Sequence, residues 1–148
     1  MNGEIQQTLS TEETELLGKR LCESLLADGR QRAFLSLEGE MGVGKTAFAR
    51  GFALALGITG VHSPTYTVVN EHRGNPIPLF HFDLYRLSDE DELYAIGFDD
   101  YLARDGYALC EWSERAGDLL PDDRITVEIM RVPEDENARI IRITGGVL

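Results

Sequence analysis

Residues Gly39-Glu40-Met41-Gly42-Val43-Gly44-Lys45-Thr46 fit the pattern G-x-x-x-x-G-K-[ST] at every fixed position, and this match indicates the fold class of the chain. An apolar run ending at Glu38 precedes this stretch and a helical pattern follows it, as the pattern requires. Glycines let the backbone N–H groups of such a loop turn inward and form a nest for phosphate oxygens. The stretch therefore predicts a loop that binds the phosphates of a nucleoside triphosphate.

The side chains at the end of the loop have distinct expected roles. Lys45 is expected to reach the β and γ phosphates, and the Thr46 hydroxyl is expected to ligate magnesium. The helix that begins near Lys45 adds the positive end of its dipole. We expect nucleotide contacts along the whole loop, from Gly39, Glu40, Met41, Gly42, Val43, Gly44, Lys45, Thr46 and Ala47.

Two carboxylates follow apolar runs and are candidates for the catalytic and magnesium-side positions. Asp83 closes the run 78–82, and Glu111 closes the run 108–110. Ligands of open α/β sheets bind at the carboxyl ends of parallel strands, and the strand before Glu111 fits that rule simply. The direction of the strand before Asp83 is open, because its neighbour can be a hairpin partner. A helix cap or a surface ion pair is the alternative for each.

Three further residues near these runs have a functional and a structural interpretation. Thr65, in the polar loop Ser63-Pro64-Thr65-Tyr66, either senses the γ-phosphate as part of a switch loop or starts a strand. His81 points to the same strand face as Asp83 and either orients the site or packs in the core. Trp112, the only tryptophan, either packs or faces the nucleotide or a partner.

The pattern of strands and helices predicts an α/β fold: a three-layer P-loop NTPase with a mixed parallel and antiparallel sheet, in one domain over residues 1–148. Ser10 and Glu13 have the spacing of a capping box for the first helix, and Ser88 is a candidate cap for an acidic helix. The predicted strands are 5–9, 33–38, 66–72, 77–83, 107–112, 124–130 and 138–144, and the predicted helices are 10–27, 45–56, 88–96 and 99–103.

The charge of −12, from 26 acidic and 14 basic side chains, opposes autonomous binding to DNA or RNA. Acidic clusters of this kind are usually solvated faces, and the alternative is a dock for a basic partner. No apolar run reaches membrane-spanning length, and the first residues lack a signal-peptide pattern, so we expect a cytoplasmic protein. Cys22 and Cys110 match no metal or redox spacing.

The base of the nucleotide is predicted from a missing motif. A Ras-like GTPase carries N-K-x-D, and the two lysines of this chain, Lys19 and Lys45, occur in no such sequence. The segment from Asp83 to Arg86 is also not the D-x-x-G of a switch loop. These differences favour adenine, and the triphosphate is therefore expected to be ATP.

The combination of Gly39–Thr46, Ser63–Tyr66, His81–Leu87 and Glu111-Trp112 resembles the bacterial ATPase family TsaE, also called YjeE. The order and spacing agree from the first helix to the tryptophan. The resemblance implies a small cytoplasmic ATPase needed to form threonylcarbamoyladenosine next to the anticodon in tRNA. It also implies weak hydrolysis by the isolated protein, activation by the TsaB–TsaD heterodimer, and tRNA contact mainly through those partners.

Carried over to this sequence, the resemblance implies that Thr46 and Glu111 ligate magnesium, with Asp83 as a nearby site carboxylate. Thr65 is then the switch-like threonine, and the stretch around Thr11 approaches the adenine. The chain departs from the pattern at Ser113, where many members have proline. Two other functions stay open: a binding module that needs nucleotide but not turnover, and a small P-loop phosphotransferase.

Overall fold

A computed structural model describes residues 4–62, 64, 68–87 and 89–145, and within them seven strands form one mixed sheet. The strands are β1 (Glu4–Thr8), β2 (Arg32–Glu38), β3 (Val69–His72), β4 (Leu79–Asp83), β5 (Gly106–Glu111), β6 (Ile125–Val132) and β7 (Asp135–Gly145). The helices are α1 (Thr11–Ala27), α2 (Lys45–Leu54), α3 (Glu90–Ala95) and α4 (Phe98–Leu102), followed by a 3₁₀ segment at Ser113–Leu119.

The sheet has the strand order β1-β7-β6-β2-β5-β4-β3, with a parallel centre and antiparallel edges. Strands β6, β2, β5 and β4 run parallel, while β1 pairs antiparallel with β7, β7 with β6, and β3 with β4. The mixed α/β sheet predicted from the sequence is therefore confirmed. Because β4 is parallel to β5 and antiparallel only to β3, the strand before Asp83 runs in the same direction as the strand before Glu111.

One face of the sheet is covered by α1 and α2, which pack closely against each other. The α1 residues Leu17, Leu21 and Leu25 lie four apart and form one buried stripe, as the sequence predicted. A Cβ atom built on Gly51 of α2 would lie 1.7 Å from the carbonyl oxygen of Glu15 in α1. Glycine at this position lets the two helix backbones approach closely. The close approach fixes the position of α2 next to the phosphate-binding loop Gly39–Thr46, called the P-loop below.

The opposite face of the parallel strands carries a second apolar cluster, rich in aromatic rings, beneath α3, α4 and the 3₁₀ segment. Phe82 and Phe98 are centred 5.2 Å apart and meet edge to face, as do Phe34 and Phe98 at 6.1 Å. With α1 and α2 on the other side, this completes the three-layer arrangement predicted from the sequence.

Local signals set the starts of two helices, one as predicted and one not. Ser10 caps α1, since its side chain accepts a hydrogen bond from the Glu13 N–H at 3.1 Å. The acidic helix α3 is capped by Asp89, whose carboxylate accepts from the Glu92 N–H at 3.0 Å. The predicted cap Ser88 lies outside the described residues. The sequence failed to separate the two because both side chains are good caps.

The P-loop lies at the carboxyl edge of the parallel strands, between the end of β2 and the start of α2. The ends of β4 and β5 reach the same edge. Within the described residues, no helix is both long and apolar enough to cross a membrane.

Candidate functional site

The P-loop backbone depends on glycine at its turning points. Gly42 has φ of 77° and Gly44, which precedes α2, has φ of 122°, both in the region that favours glycine. Between them the Val43 side chain is 1% exposed and belongs to the apolar core beneath α1 and α2. The loop is therefore anchored by one buried side chain, while its glycines give the backbone the freedom to curve around an anion.

Lys45 is held at the mouth of this curve by two contacts. Its ammonium nitrogen Nζ donates to the Gly39 carbonyl oxygen at 3.0 Å and lies 5.3 Å from the centre of the Trp112 ring. The residue is only 8% exposed. These contacts place the positive charge beside the loop, within reach of a phosphate, and make Trp112 an aromatic wall of the site.

A cavity of about 570 Å³ opens in front of the loop. Helix α1, the P-loop, α2, β4, β5 and the β6–β7 hairpin all contribute to its walls. Its lining residues are Ser10, Thr11, Thr14, Met41, Gly42, Val43, Gly44, Lys45, Thr46, Ala47, Arg50, Asp83, Glu111, Trp112, Glu136, Asn137 and Arg139. A cavity of this size falls in the range of small-molecule and cofactor sites.

Asp83 and Glu111 lie side by side in this cavity. They are direct Cα partners across the parallel pair β4–β5, and Glu111 is also opposite Leu37 at the end of β2. Burial raises the pKa of the Asp83 carboxyl, and the nearby charge of Glu111 raises it further, against the hydrogen bond that the Tyr85 N–H donates to it. Two adjacent carboxylates of this kind make the edge of the sheet a favourable place for a cation.

His81 contacts the second of these carboxylates in the protein interior. Its Nε2 lies 3.0 Å from Glu111 Oε2, and the side chain is fully buried. Because a carboxylate accepts hydrogen bonds, the imidazole carries its proton on Nε2 in this pair. His81 is therefore both packed in the interior and in contact with a candidate site carboxylate, and its role in orienting the site stays a prediction. Its Nδ1 is buried and has no hydrogen-bond partner among the described residues.

The turn after β5 holds Trp112 in an unusual backbone conformation. Trp112 has φ of 59°, the positive φ of a left-handed turn, and within the described residues no other residue except glycine has a positive φ. Its ring packs against Tyr85 with centroids 4.9 Å apart. The next residue, Ser113, is buried and its hydroxyl is hydrogen-bonded to the hydroxyl of Ser36 on β2. The serine at this position therefore ties the turn to the strand that enters the P-loop.

The oxygen donors of the cavity fit a magnesium ion that is shared with phosphates. Thr46, Asp83 and Glu111 line the same cavity and supply one hydroxyl and two carboxylates. Among the described residues, no cluster of three or more His, Cys, Asp or Glu side chains could hold a metal by itself. Magnesium commonly takes one or two carboxylates, with substrate phosphates and waters completing its octahedron.

Most of the residues predicted to contact the nucleotide line this cavity. Thr11 lines the cavity from the start of α1, although its predicted contact came only from the family resemblance. Gly39 and Glu40 do not line it: the Gly39 carbonyl contacts Lys45, and Glu40 faces a separate groove beside β6. Thr65 lies outside the described residues, so its predicted role stays a prediction.

Sequence reasoning missed the contribution of the β6–β7 hairpin. Glu136, Asn137 and Arg139 line the cavity although they lie far along the chain from the P-loop. Arg131 also reaches the loop and donates to the Met41 carbonyl at 3.2 Å. An arginine on each of two successive strands was a weak signal by itself, because surface arginines are common. Only the antiparallel pairing of β6 with β7 brings these side chains to the loop.

Comparisons with known proteins identify a family and a fold. The family model described as threonylcarbamoyl adenosine biosynthesis protein TsaE matches residues 8–141. A tRNA threonylcarbamoyladenosine biosynthesis protein TsaE from Bacillus subtilis is 39% identical over 141 residues, covering 95% of this chain and 85% of the relative. One from Haemophilus influenzae is 40% identical over 130 residues, covering 86% and 82%. The crystal structure of Bacillus subtilis YdiB superposes with a TM-score of 0.80 at 31% identity, covering 99% of this chain and 87% of that one.

Proposed function

This chain belongs to the TsaE family, and from that membership we propose that it binds ATP with magnesium and hydrolyses it in support of tRNA threonylcarbamoyladenosine formation. The proposal has three parts, which are nucleotide binding, hydrolysis and the pathway. Nucleotide binding is supported by the loop, hydrolysis by the carboxylates that face it, and the pathway by the names of the relatives.

One observation carries the enzymatic part of the proposal. Lys45 begins α2, directly after the loop that follows β2, and Asp83 and Glu111 lie at the ends of the parallel strands β4 and β5. All three residues line one cavity. A triphosphate held by the loop would lie between the Lys45 ammonium group on one side and the Asp83 and Glu111 carboxylates on the other. Phosphoryl transfer depends mainly on such positioning and charge stabilisation.

Each residue then has a separate task. The loop amides and Lys45 bind the phosphate oxygens, and Lys45 exchanges its contact with the Gly39 carbonyl for a phosphate. Thr46 and Glu111 would hold magnesium, with His81 orienting the Glu111 carboxylate. Magnesium, when bound, would neutralise part of the phosphate charge. Asp83 faces the cavity and would accept a hydrogen bond from the attacking water.

The pathway assignment includes partners that activate the enzyme. We propose that the TsaB–TsaD heterodimer stimulates hydrolysis and that tRNA is reached mainly through that heterodimer, in the cytoplasm. The charge of −12 supports this division of labour, because an acidic surface repels the phosphate backbone of nucleic acid. We accordingly expect no autonomous binding to DNA. Thr65 keeps its proposed role as the switch-loop threonine that responds to the γ-phosphate.

The decisive experiment measures phosphate release from ATP by the purified protein, alone and with the TsaB–TsaD heterodimer from the same organism. We expect slow magnesium-dependent turnover alone and faster turnover with the heterodimer. Glu111→Gln, which keeps the size of the side chain, should bind ATP but release little phosphate. No stimulation by the cognate heterodimer would overturn the pathway assignment.

Two other outcomes would change the assignment of the reaction. If Glu111→Gln supports repeated rounds of tRNA modification at the wild-type rate, bound nucleotide suffices and the protein acts as a binding module. If labelled γ-phosphate moves to a metabolite rather than to water, the protein is a small phosphotransferase.

A further inference from the structure

Two arginines face each other across the β6–β7 hairpin where opposite charges or neutral side chains would be more favourable. Arg131 and Arg139 are direct Cα partners in this antiparallel pair. Like charges directly opposite on adjacent strands repel and destabilise the pair. Such a pair in an otherwise well-packed sheet needs compensation from elsewhere in the structure.

The compensation comes from the P-loop. Arg131 Nη2 donates to the Met41 carbonyl oxygen at 3.2 Å, and Arg139 Nε donates to the Val43 carbonyl oxygen at 2.6 Å. Arg139 Nη1 also donates to the carbonyl oxygens of Glu136 and Ala138, at 2.6 and 2.7 Å. The guanidinium of Arg139 is therefore fixed to its own hairpin on one side and to the loop on the other.

The two accepting carbonyls belong to Met41 and Val43, which are two residues apart in the loop. Both carbonyl oxygens therefore point toward the β6–β7 hairpin. In a phosphate-binding nest the N–H groups point inward, so the carbonyls at the same turns must point outward. Val43 is a buried residue, so its carbonyl needs a donor, whereas Met41 is 73% exposed. Arg131 and Arg139 supply charged donors, which form stronger hydrogen bonds than neutral ones.

A backbone contact brings the hairpin and the loop together at a third place. A Cβ atom on Gly39 would lie 2.6 Å from the Ile129 carbonyl oxygen of β6 and 2.8 Å from the Val43 side chain. The start of the loop thus packs directly on the strand that carries Arg131. The loop is held from below by the buried Val43 side chain and from outside by the hairpin.

We propose that Arg131 and Arg139 are positioning residues that hold the P-loop in its phosphate-binding conformation through the carbonyls of Met41 and Val43. The proposal rests on the proposed function, since it assigns these arginines to the same nucleotide site. Arg139 contributes more than Arg131 to holding the loop, because it is half-buried and hydrogen-bonded both to the loop and to its own hairpin. Arg131 is exposed and makes one contact with the loop.

The test compares Arg139→Gln and Arg131→Gln with Arg142→Gln as a matched control. Arg142 lies on the same strand, β7, but pairs with Glu128, at 3.6 Å, and contacts no loop residue in the described structure. Arg139→Lys is the conservative variant. It keeps the charge and one donor but loses the planar fork that reaches two sides at once.

Two measurements are made on the full chain. The first is hydrogen–deuterium exchange of residues 39–46 without nucleotide, which reports the order of the loop directly. The second is magnesium-ATP affinity together with kcat and KM. Loss of an interaction that shapes the loop equally in the ground state and the transition state raises KM with little change in kcat.

Support would be faster exchange confined to residues 39–46 in Arg139→Gln, with a Kd for magnesium-ATP raised about tenfold and kcat changed by less than about twofold. Arg131→Gln should shift the Kd about two- to threefold. Arg139→Lys should fall between wild type and Arg139→Gln, and Arg142→Gln should match wild type.

Unchanged loop exchange and affinity in Arg139→Gln would overturn the proposal. It would equally be overturned by accelerated exchange across the whole sheet with unchanged KM, because that pattern means general loss of stability. If the wild-type protein itself binds no magnesium-ATP, the proposed function fails. The exchange measurement without nucleotide still decides whether the arginines order the loop.

Discussion

His81 Nε2 and Glu111 Oε2 lie 3.0 Å apart in the interior of the protein, and they join β4 to β5 behind the candidate site. The two residues come from adjacent parallel strands, with Leu109 as the direct partner of His81. The imidazole therefore contacts Glu111 at the end of β5, two residues beyond the residue directly opposite it. The imidazole thus restrains one oxygen of a carboxylate whose residue lines the cavity.

Replacing His81 tests whether this contact supports catalysis. We expect His81→Ala to lower phosphate release about ten- to hundredfold and to raise the magnesium concentration needed for half-maximal activity, as loss of a group behind a metal ligand commonly does. His81→Gln, which can still donate to Glu111, should recover part of the loss. Equal losses in the two variants, without a change in magnesium dependence, would contradict this role.

Lys45 offers a matched comparison, because the chain has only one other lysine, Lys19 in α1. Lys45→Ala should weaken ATP binding by on the order of 1.5–3 kcal/mol, through loss of a charged contact to the phosphates. Lys19→Ala removes the same charge away from the cavity and should leave affinity unchanged. Isothermal titration calorimetry of both variants checks the prediction, and equal effects would point to net charge rather than to a specific contact.

Asp83 should cost the nucleotide-free protein stability at neutral pH. Burial raises the pKa of its carboxyl, so the folded state disfavours the charged form relative to the unfolded state. The cost is absent at low pH, grows once the pH exceeds the pKa of the unfolded chain, and is complete above the raised pKa of the folded protein. Asp83→Asn should therefore be more stable than wild type at pH 7 and should lose that advantage below about pH 3.

Chemical unfolding at the two pH values, in the absence of magnesium and nucleotide, measures this difference. The same variant should release less phosphate from ATP, because the amide is a poorer partner for water. A variant that is less stable than wild type at pH 7 would mean that Asp83 serves mainly as a structural acceptor for the Tyr85 N–H.

The parts of the site that the sequence predicted are those set by local pattern. The glycine spacing of Gly39–Thr46 predicts a phosphate-binding loop without reference to the rest of the chain. The apolar runs before Asp83 and Glu111 likewise predict strands that end at these residues. The direction of β4 relative to its neighbours could not be predicted from its own residues, because the side-chain pattern of a strand is the same beside a parallel or an antiparallel neighbour. The direction is known only from the parallel pairing of β4 with β5.

The parts that the sequence did not predict depend on contacts between distant segments. Arg139 is 96 residues from Val43 in sequence, and only the β6–β7 register brings them together. Gly51 has no local signal in the sequence, because its requirement for a small residue comes from the backbone of α1. His81 could be placed on the face of Asp83 from alternation, but its partner Glu111 was set by the pairing of two strands.

The close crossing of α1 and α2 gives a stability prediction. Gly51→Ala would place a methyl group 1.7 Å from the Glu15 carbonyl oxygen, so the helices must separate. We expect a loss of about 1–3 kcal/mol in the free energy of unfolding, the usual cost of an overpacked interior. Leu54→Ala, on the same helix but 44% exposed, is the control and should change stability much less. Equal stability of Gly51→Ala and wild type would show that the crossing tolerates a shift.

The two cysteines should be inert in the folded protein. Cys22 and Cys110 are both fully buried, and burial raises the pKa of Cys22 to about 12 and that of Cys110 well above its usual value. Because the thiolate is the reactive form, a thiol reagent at pH 8 should label neither residue. Both should react after unfolding in guanidinium. Labelling of the native protein at the unfolded rate would mean that the core opens readily.

The position of the single tryptophan gives the protein a built-in optical probe. The Trp112 indole lies 5.3 Å from Lys45 Nζ and packs at a tilt against the Tyr85 ring. If the ammonium group exchanges the Gly39 carbonyl for a phosphate, as proposed, the electric field across the ring would change, and the emission of the ring with it. Nucleotide arrival and departure can therefore be followed in real time on the unlabelled chain, and no other indole contributes to the signal.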